Sequence, residues 1–376
     1  MKVMIGLSGG VDSAVAAYLL QQQGHEVVAG FMRNWDALAN NDTLGNPTLG
    51  GPCPQELDYQ DAVAVAKKLG IPLFRCDYVK EYWDNVFTYF LKEYEQGRTP
   101  NPDVFCNKYI KFGPFLEFAR SQGCEKIAMG HYAKKVHEED GLDHLYKAHD
   151  KSKDQSYFLS QISEEQITSC LFPLADIDKL EVRRIAHELG LESVMDKKDS
   201  TGICFIGERN FRAFLSNYFP AKKGDIVEGS TGKVVGTHKG VLFYTLGQHK
   251  GLGIGGIKGE EEGAFFIYKK DVKKNILYVA HPSDRHLLLS DACLVTGINW
   301  IGERPEGEIE VGAKFRYRQP DQKVYIHFEG DEIKVRYASP IEAVTPGQIA
   351  VFYLGEKMLG GGIIEATYRE GKRIDL

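Results

Sequence analysis

The stretch Lys2-Val3-Met4-Ile5-Gly6-Leu7-Ser8-Gly9-Gly10-Val11-Asp12-Ser13 decides the fold. Residues 2–7 are a short apolar run of the kind buried on both faces in a parallel sheet. Residues 8–13 are a glycine-rich turn. Residues 14–23 read as a helix, with Gly24 suited to its C′ position. The alternation continues outward, with a strand at 26–32, a helix at 56–69 ending on Gly70 and a strand at 72–77. A long aromatic-rich helix at 81–96, a helix at 112–122 and a short strand at 126–129 follow. This order predicts an α/β doubly wound parallel sheet.

Beyond His131 the pattern weakens. Residues 138–144 are polar and read as a loop, while 154–161 and 178–189 read as helices. From about Ala221 glycine becomes frequent and apolar residues alternate with polar ones. Val324, Ile326 and Phe328 alternate in one run, and Ile333, Val335 and Tyr337 in the next, as in half-buried antiparallel strands. The expected organisation is an α/β domain over residues 1–210, a small β-rich domain over 211–281 and a C-terminal antiparallel β-barrel over 282–376.

A chain of 376 residues, 43% of them hydrophobic, supports more than one core. The net charge of -6 means that a nucleic-acid partner needs a local basic surface. No apolar stretch is long enough to span a membrane, and Met1 runs straight into a strand rather than a signal-like segment. Seven cysteines, an odd number at irregular spacings, argue against a disulfide framework. A reducing, cytoplasmic setting is expected, where one Cys can be a reactive thiol. No CxxC pair is present, so no metal site is expected.

Glycines in residues 6–13 let the backbone approach an anion, and the helix that follows offers free N–H groups and the positive end of its dipole. The loop lacks the Gly-Lys-Ser/Thr of a Walker A motif and the glycine spacing of a dinucleotide fingerprint. Ser-Gly-Gly-Val-Asp-Ser, residues 8–13, resembles the loop of the ATP pyrophosphatase superfamily, whose members cleave ATP between the α and β phosphates. The resemblance implies that Gly6, Leu7, Ser8, Gly9, Gly10, Val11, Asp12 and Ser13 bind ATP. Asp12 either caps the helix or helps hold Mg2+.

Two cysteine segments stand out. Arg98-Thr99-Pro100-Asn101-Pro102-Asp103-Val104-Phe105-Cys106-Asn107 interrupts two helices, and its prolines predict extended backbone and a fixed loop. Asp103 and Cys106 are spaced to sit side by side on a turn or a first helical turn. Asp199-Ser200-Thr201-Gly202-Ile203-Cys204-Phe205 places a second thiol in a polar stretch. Taken alone, each Cys also fits a structural role. Taken over residues 97–112 and 199–205, with residues 6–13, Gly130-His131-Tyr132-Ala133, Lys153-Asp154-Gln155-Ser156-Tyr157, residues 244–256 and residues 315–319, these segments resemble the bacterial-type tRNA-specific 2-thiouridylases along nearly the whole chain. His249 departs from the pattern, which has Arg there.

The resemblance implies an enzyme that adenylates the wobble uridine of tRNA and replaces its C2 oxygen with sulfur, releasing AMP and pyrophosphate. Met32 and Gly130 would contact the adenosine part, although Met32 also reads as a core residue. Cys204 would carry persulfide sulfur from a donor, either a cysteine desulfurase or a sulfur-relay protein. Cys106 would resolve it and form a Cys106–Cys204 disulfide, with Asp103 as acid or base. Asn101, Pro102, Asp103, Lys153, Asp154, Gln155, Arg316 and Tyr317 would contact tRNA. Arg316, Tyr317 and Arg318 are expected on a strand, with Lys323, Lys334 and Arg336 on its neighbours. Three alternatives stay open: a small-molecule amidating or adenylating enzyme of the same superfamily, a non-catalytic RNA-binding protein, and an iron–sulfur cluster held by Cys106, Cys204 and Cys53.

Overall fold

In the computed structural model, which describes residues 1–44, 53–198, 211–254 and 263–374, β1 (Lys2–Gly6) is the centre of a parallel sheet. Its neighbours are β2 (Glu26–Arg33) and β4 (Lys126–Ala128), flanked by β3 (Leu73–Asp77) and β7 (Cys170–Leu171) in the order β3-β2-β1-β4-β7. Successive side chains of β1 enter opposite cores, because strand residues alternate in direction. Val3 and Ile5 pack with α1 (Val11–Gln22), while Met4 packs on the aromatic side with Phe115 and Phe90. The apolar run is therefore buried on both faces. Gly24 and Gly70 take the left-handed conformation at φ 79° and 67°, ending α1 and α2 (Pro54–Leu69) as expected.

Several elements differ from the sequence reading. The long helix at 81–96 is broken into Val79–Tyr82, a π-helical turn at Trp83–Phe87 and Thr88–Glu95. The loop expected at 138–144 is the connection 138–142 of a hairpin that the sequence reading did not foresee, between β5 (Ala133–His137) and β6 (Asp143–Lys147), which begins two residues early. The helix expected at 154–161 is one 3-10 turn, Ser156–Leu159. Asp154 disfavours a longer helix by turning its carboxylate onto Ala148 N and Ser156 N at 3.1 and 3.3 Å.

A four-stranded sheet follows in the order β10-β11-β8-β9, built from β8 (Gly224–Glu228), β9 (Val234–His238), β10 (Phe266–Asp271) and β11 (Ile276–Ala280). Six antiparallel strands then close into a barrel: β12 (Leu289–Trp300), β13 (Ile309–Lys314), β14 (Gln322–Glu329), β15 (Glu332–Glu342), β16 (Ile349–Leu354) and β17 (Lys357–Arg369). Their order is β12-β15-β14-β13-β16-β17, and β12 pairs β17 to remove the open edges. The alternation read in the sequence is its lining: Val324 faces Tyr337 and Ile326 faces Val335 in register, all within the barrel core. Arg316, Tyr317 and Arg318 lie in the turn after β13, not on a strand, because β13 ends at Lys314. Lys323, Lys334 and Arg336 do lie on β14 and β15.

The barrel also packs on the first sheet's loops. Lys357 of β17 pairs with Tyr146 of β6, and Tyr157 donates its hydroxyl to Ile349 O at 2.9 Å. Among the described residues, no helix is long and apolar enough to cross a membrane.

Candidate active site

The phosphate loop leaves β1 and enters α1 at Gly10, whose N-cap position has no side-chain cap. Ser13 braces the loop from within. Its Oγ accepts from Ser8 N at 3.1 Å, donates to Gly10 O at 3.0 Å and lies 3.1 Å from Ser8 Oγ. Gly9 has φ 73°, and a Cβ there would fall 2.1 Å from Asp58 O, so both conformation and space demand glycine. Gly130, just beyond β4, faces the helix start: a Cβ would meet Ser13 N at 2.9 Å and Asp12 C at 3.1 Å.

A cavity of about 190 Å³ opens at this point. Gly6, Leu7, Ser8, Asp12, Ser13, Met32 and Gly130, all named above as expected nucleotide contacts, line it. Gly9, Gly10 and Val11 shape the loop from behind rather than facing the cavity, and Val11 is buried in the core. Gln155, Lys111, His131 and Asp58 also line it. Gln155 pairs reciprocally with Tyr132: Tyr132 N donates to its Oε1 at 3.1 Å, and its own N donates to Tyr132 O at 2.7 Å. It therefore belongs to the wall of this cavity.

Two lysines from distant segments complete the loop. Lys179, the first residue of helix Lys179–Glu188, places Nζ 2.7 Å from Asp12 Oδ1, which also accepts from Tyr132 OH at 2.8 Å. Lys197 Nζ bonds Gly9 O at 2.9 Å and the carboxylates of Asp58 and Asp61 at 2.7 Å. Burial pushes the Asp58 carboxyl above its ordinary range despite the opposing pull of Lys197. Burial, reinforced by the charge of Lys111, pushes the His131 imidazole well below its ordinary value, so it stays neutral near pH 7. Both ammonium groups are taken up by Asp12, Gly9 O, Asp58 and Asp61, and neither lines the cavity; no local sequence signal marks Lys179 or Lys197.

The first thiol segment is a loop up to Asn101, as its prolines suggested, and then one short helix, so Asp103 and Cys106 lie on a first helical turn. Asn101 caps helix Pro102–Cys106, its Oδ1 accepting from Val104 N at 3.4 Å, and Pro102 occupies the first helical position, where its missing N–H costs nothing. Asp103 lies in the first turn, and Cys106 ends the helix fully buried. The chain continues as a π-helical turn, Asn107–Lys111. The preceding loop is gripped by the barrel. Gln348 Nε2 donates to Thr99 O at 2.7 Å, Thr99 N donates to Pro346 O at 2.9 Å, and Arg98 Nη1 meets Glu365 at 2.8 Å. Cys204 lies outside the described residues, as does the segment expected to present it.

The remaining RNA candidates divide. Tyr317 packs its ring at a tilt, 4.4 Å from that of Phe158, and donates its hydroxyl to Lys153 O at 3.4 Å. Phe158 O in turn accepts from Asn107 Nδ2 at 2.9 Å, so Tyr317 and Lys153 sit close to the Cys106 element. Asp154 is 4% exposed and accepts from Ser156 Oγ at 3.0 Å, so it braces the turn from inside. Arg316 Nη2 donates to Leu246 O and Thr345 Oγ1 at 3.2 Å, and also to Ala343 O, joining the middle sheet's loop to the barrel. The ring of His249 packs 5.4 Å from Phe266. Glu138, Asp140 and His144 bring possible ligand atoms within 4.8 Å of one another, but Lys357 Nζ already bonds Glu138 at 2.7 Å.

Comparisons with known proteins agree along the whole chain. Three family models match: the tRNA methyl transferase HUP domain over residues 1–208, the tRNA methyl transferase PRC-barrel domain over 212–281 and the aminomethyltransferase beta-barrel domain over 290–364. The tRNA-specific 2-thiouridylase of Mycoplasma capricolum subsp. capricolum is 52% identical over 98% of this chain and 99% of its own length. That of Mesoplasma florum is 53% identical over 97% of this chain and 98% of its own. This chain belongs to the family of tRNA-specific 2-thiouridylases.

Proposed function

We propose that this chain is an ATP-dependent tRNA 2-thiouridylase, which joins AMP to the C2 oxygen of the wobble uridine and then replaces that oxygen with sulfur. One observation carries the reading: the element bearing Asp103 and Cys106 runs without a break into Lys111, which walls the phosphate-loop cavity. A nucleotide site and a thiol on one element suit activation followed by sulfur delivery. A methyl transfer, which the family models' names suggest, has no use for a phosphate loop.

The urea-like carbonyl of uridine has a poor leaving group, and adenylation supplies a good one. Residues 6–13 hold the triphosphate at the start of α1, where helix N–H groups and the dipole favour negative charge. Attack by the uridine oxygen on the α-phosphate expels pyrophosphate. Asp12, with the hydroxyls of Ser8 and Ser13, offers oxygen ligands suited to Mg2+ on the phosphates. When bound, that ion would screen phosphate charge.

Sulfur arrives as a persulfide on Cys204, supplied by a cysteine desulfurase or a sulfur-relay protein. Its outer sulfur attacks C2, and AMP leaves with the oxygen. Cys106 then attacks the inner sulfur, freeing the thiocarbonyl and leaving a Cys106–Cys204 disulfide. In a variant, Cys106 first releases sulfide, which attacks instead. Asp103 moves the proton. Asn101, Pro102 and Asp103 border the flipped base, while Lys153, Arg316 and Tyr317 hold the RNA beside it.

The test is mass spectrometry of tRNA nucleosides after incubation with ATP, tRNA, cysteine and a desulfurase. The expected product is 2-thiouridine, formed only with ATP. Pyrophosphate release without any thiolated nucleoside would refute the reading.

A further inference from the structure

Residues 107–111 follow Cys106 directly but are not α-helical. They form one π-helical turn, closed by Phe112 N donating to Asn107 O at 3.0 Å. The extra residue in the turn changes where later side chains point. Outside contacts hold the turn in this form. Asn107 Nδ2 bonds Phe158 O at 2.9 Å, and Gln166 Nε2 bonds Phe112 O at 2.7 Å. Lys108 and Lys111 consequently part. Lys108 bonds Gln161 Oε1 at 3.2 Å, while Lys111 enters the wall of the phosphate-loop cavity beside His131 and Gly130.

Lys111 is the one lysine or arginine among the described residues lining that cavity. Lys179 and Lys197 answer the carboxylates of Asp12 and Asp58 from behind the loop. Lys111 instead comes from the side of Cys106 and lies roughly 6–8 Å along the helix axis from it, at five residues and up to 1.5 Å each. The uridine must approach from that same side, because sulfur must reach its C2. The phosphates to be expelled lie at the other side, against α1. The atom attacked, the α-phosphorus, therefore falls between the loop and Lys111.

We infer that Lys111 is a further catalytic residue, whose ammonium contacts the α-phosphate and the uridine oxygen as they join. This inference rests on the thiolation reading above. In the step, the uridine oxygen–phosphorus bond forms while the bond from the α-phosphorus to the bridging oxygen breaks. Pyrophosphate carries off the electron pair, and Lys111 keeps its proton throughout. Its charge meets the negative charge gathering on the α-phosphate oxygens, which is where a fixed donor lowers a barrier most. The imidazole of His131 beside it, pushed toward its neutral form by burial, adds no second positive charge there.

The experiment compares wild-type protein with Lys111→Met and Lys111→Arg in single-turnover release of pyrophosphate with tRNA, alongside ATP affinity by equilibrium binding. Lys111→Met should lower the release rate by about 100- to 1000-fold, the usual cost of one such donor. Its affinity for ATP should change by less than about tenfold, and Lys111→Arg should recover most of the rate. If Lys111→Met does not fold, Lys111→Gln takes its place, with the same outcomes. A wild-type rate in the neutral variant would overturn the inference, as would equal losses in the Met and Arg variants or a loss confined to ATP affinity. A wild-type protein that makes no 2-thiouridine would overturn the thiolation reading first, and this inference with it.

Discussion

Replacing Gly130 by Ala adds one methyl group at the tightest point of the nucleotide site. The new Cβ would stand 2.9 Å from Ser13 N, 3.0 Å from Ser13 Cα and 3.1 Å from Asp12 C. All three are backbone atoms of the first turn of α1, so no side chain can rotate away. Relief to ordinary contact requires α1 or the strand end to move by about half an ångström, and overpacking of this kind costs about 1–3 kcal/mol. If that strain falls on the loop geometry that ATP needs, affinity should drop by roughly 5- to 150-fold. The assay is equilibrium binding of ATP, with thermal melting to follow the fold. Gly123→Ala is the control. Gly123 has φ 73° but nothing within 4 Å of its Cβ, so it should lose about 1 kcal/mol of stability through backbone strain and leave ATP affinity unchanged. Equal ATP affinity in Gly130→Ala and wild type would refute the reasoning, because the close approach would then have no bearing on the nucleotide.

Three further outcomes follow from the site. Cys204→Ser should hold no persulfide and make no 2-thiouridine while still binding ATP, whereas Cys106→Ser should accept persulfide but release no product; peptide mapping without reductant checks for a Cys106–Cys204 disulfide in the wild type. The depressed His131 pKa means that below about pH 6.5 the unfolded chain takes up a proton that the folded chain refuses, so stability falls as pH drops, by at most about 1.4 kcal/mol per pH unit. His131→Gln should flatten that acid slope in denaturant melts between about pH 5 and 6.5, and an unchanged slope would contradict it. Gln348→Ala removes the donor to Thr99 O and Pro100 O, at a cost of about 1–3 kcal/mol, and should lower the thiolation rate more than ATP affinity, as measured by single-turnover nucleoside analysis.

What could be read from the sequence was local. The apolar run at residues 2–7, the loop at 8–13 and the alternation at Val324, Ile326, Val335 and Tyr337 carry their structure in neighbouring residues. The helix start at Asn101-Pro102-Asp103 was equally local, yet the two prolines suggested a loop. An N-cap Asn followed by Pro and Asp is a helix-opening signal, since Pro lacks only an N–H that the first turn does not use. Lys111, Lys179 and Lys197 could not be read this way. Their surroundings come from distances closed by the fold; Lys179 and Lys197 sit in ordinary charged stretches, and Lys111 in the cysteine segment, where nothing local marks it off from Lys108. The burial of Asp154 was equally out of reach of the sequence, because the backbone around it turns the carboxylate inward.

The position of the barrel at the far end of the chain explains how these pieces act together. The Cys106 element begins at a loop fixed by Gln348, Pro346 and Glu365 of the barrel and ends at Lys111 in the nucleotide cavity. A left-handed Gly347, at φ 91°, allows that grip, since a Cβ there would lie 2.9 Å from Thr99 N. The element thus spans the gap between two folded bodies and is anchored in both. Thiol chemistry needs sulfur, carbon and phosphate placed to within fractions of an ångström, and a loop free at one end would lose that placement. Cys106, fully buried between the anchors, is shielded from solvent oxidants until the element is disturbed. Tyr317, packed on Phe158 next to Asn107, ties the turn after β13 to that element. The barrel therefore does more than extend an RNA surface, because its turn at residues 345–348 fixes the starting point of the helix that carries the thiol.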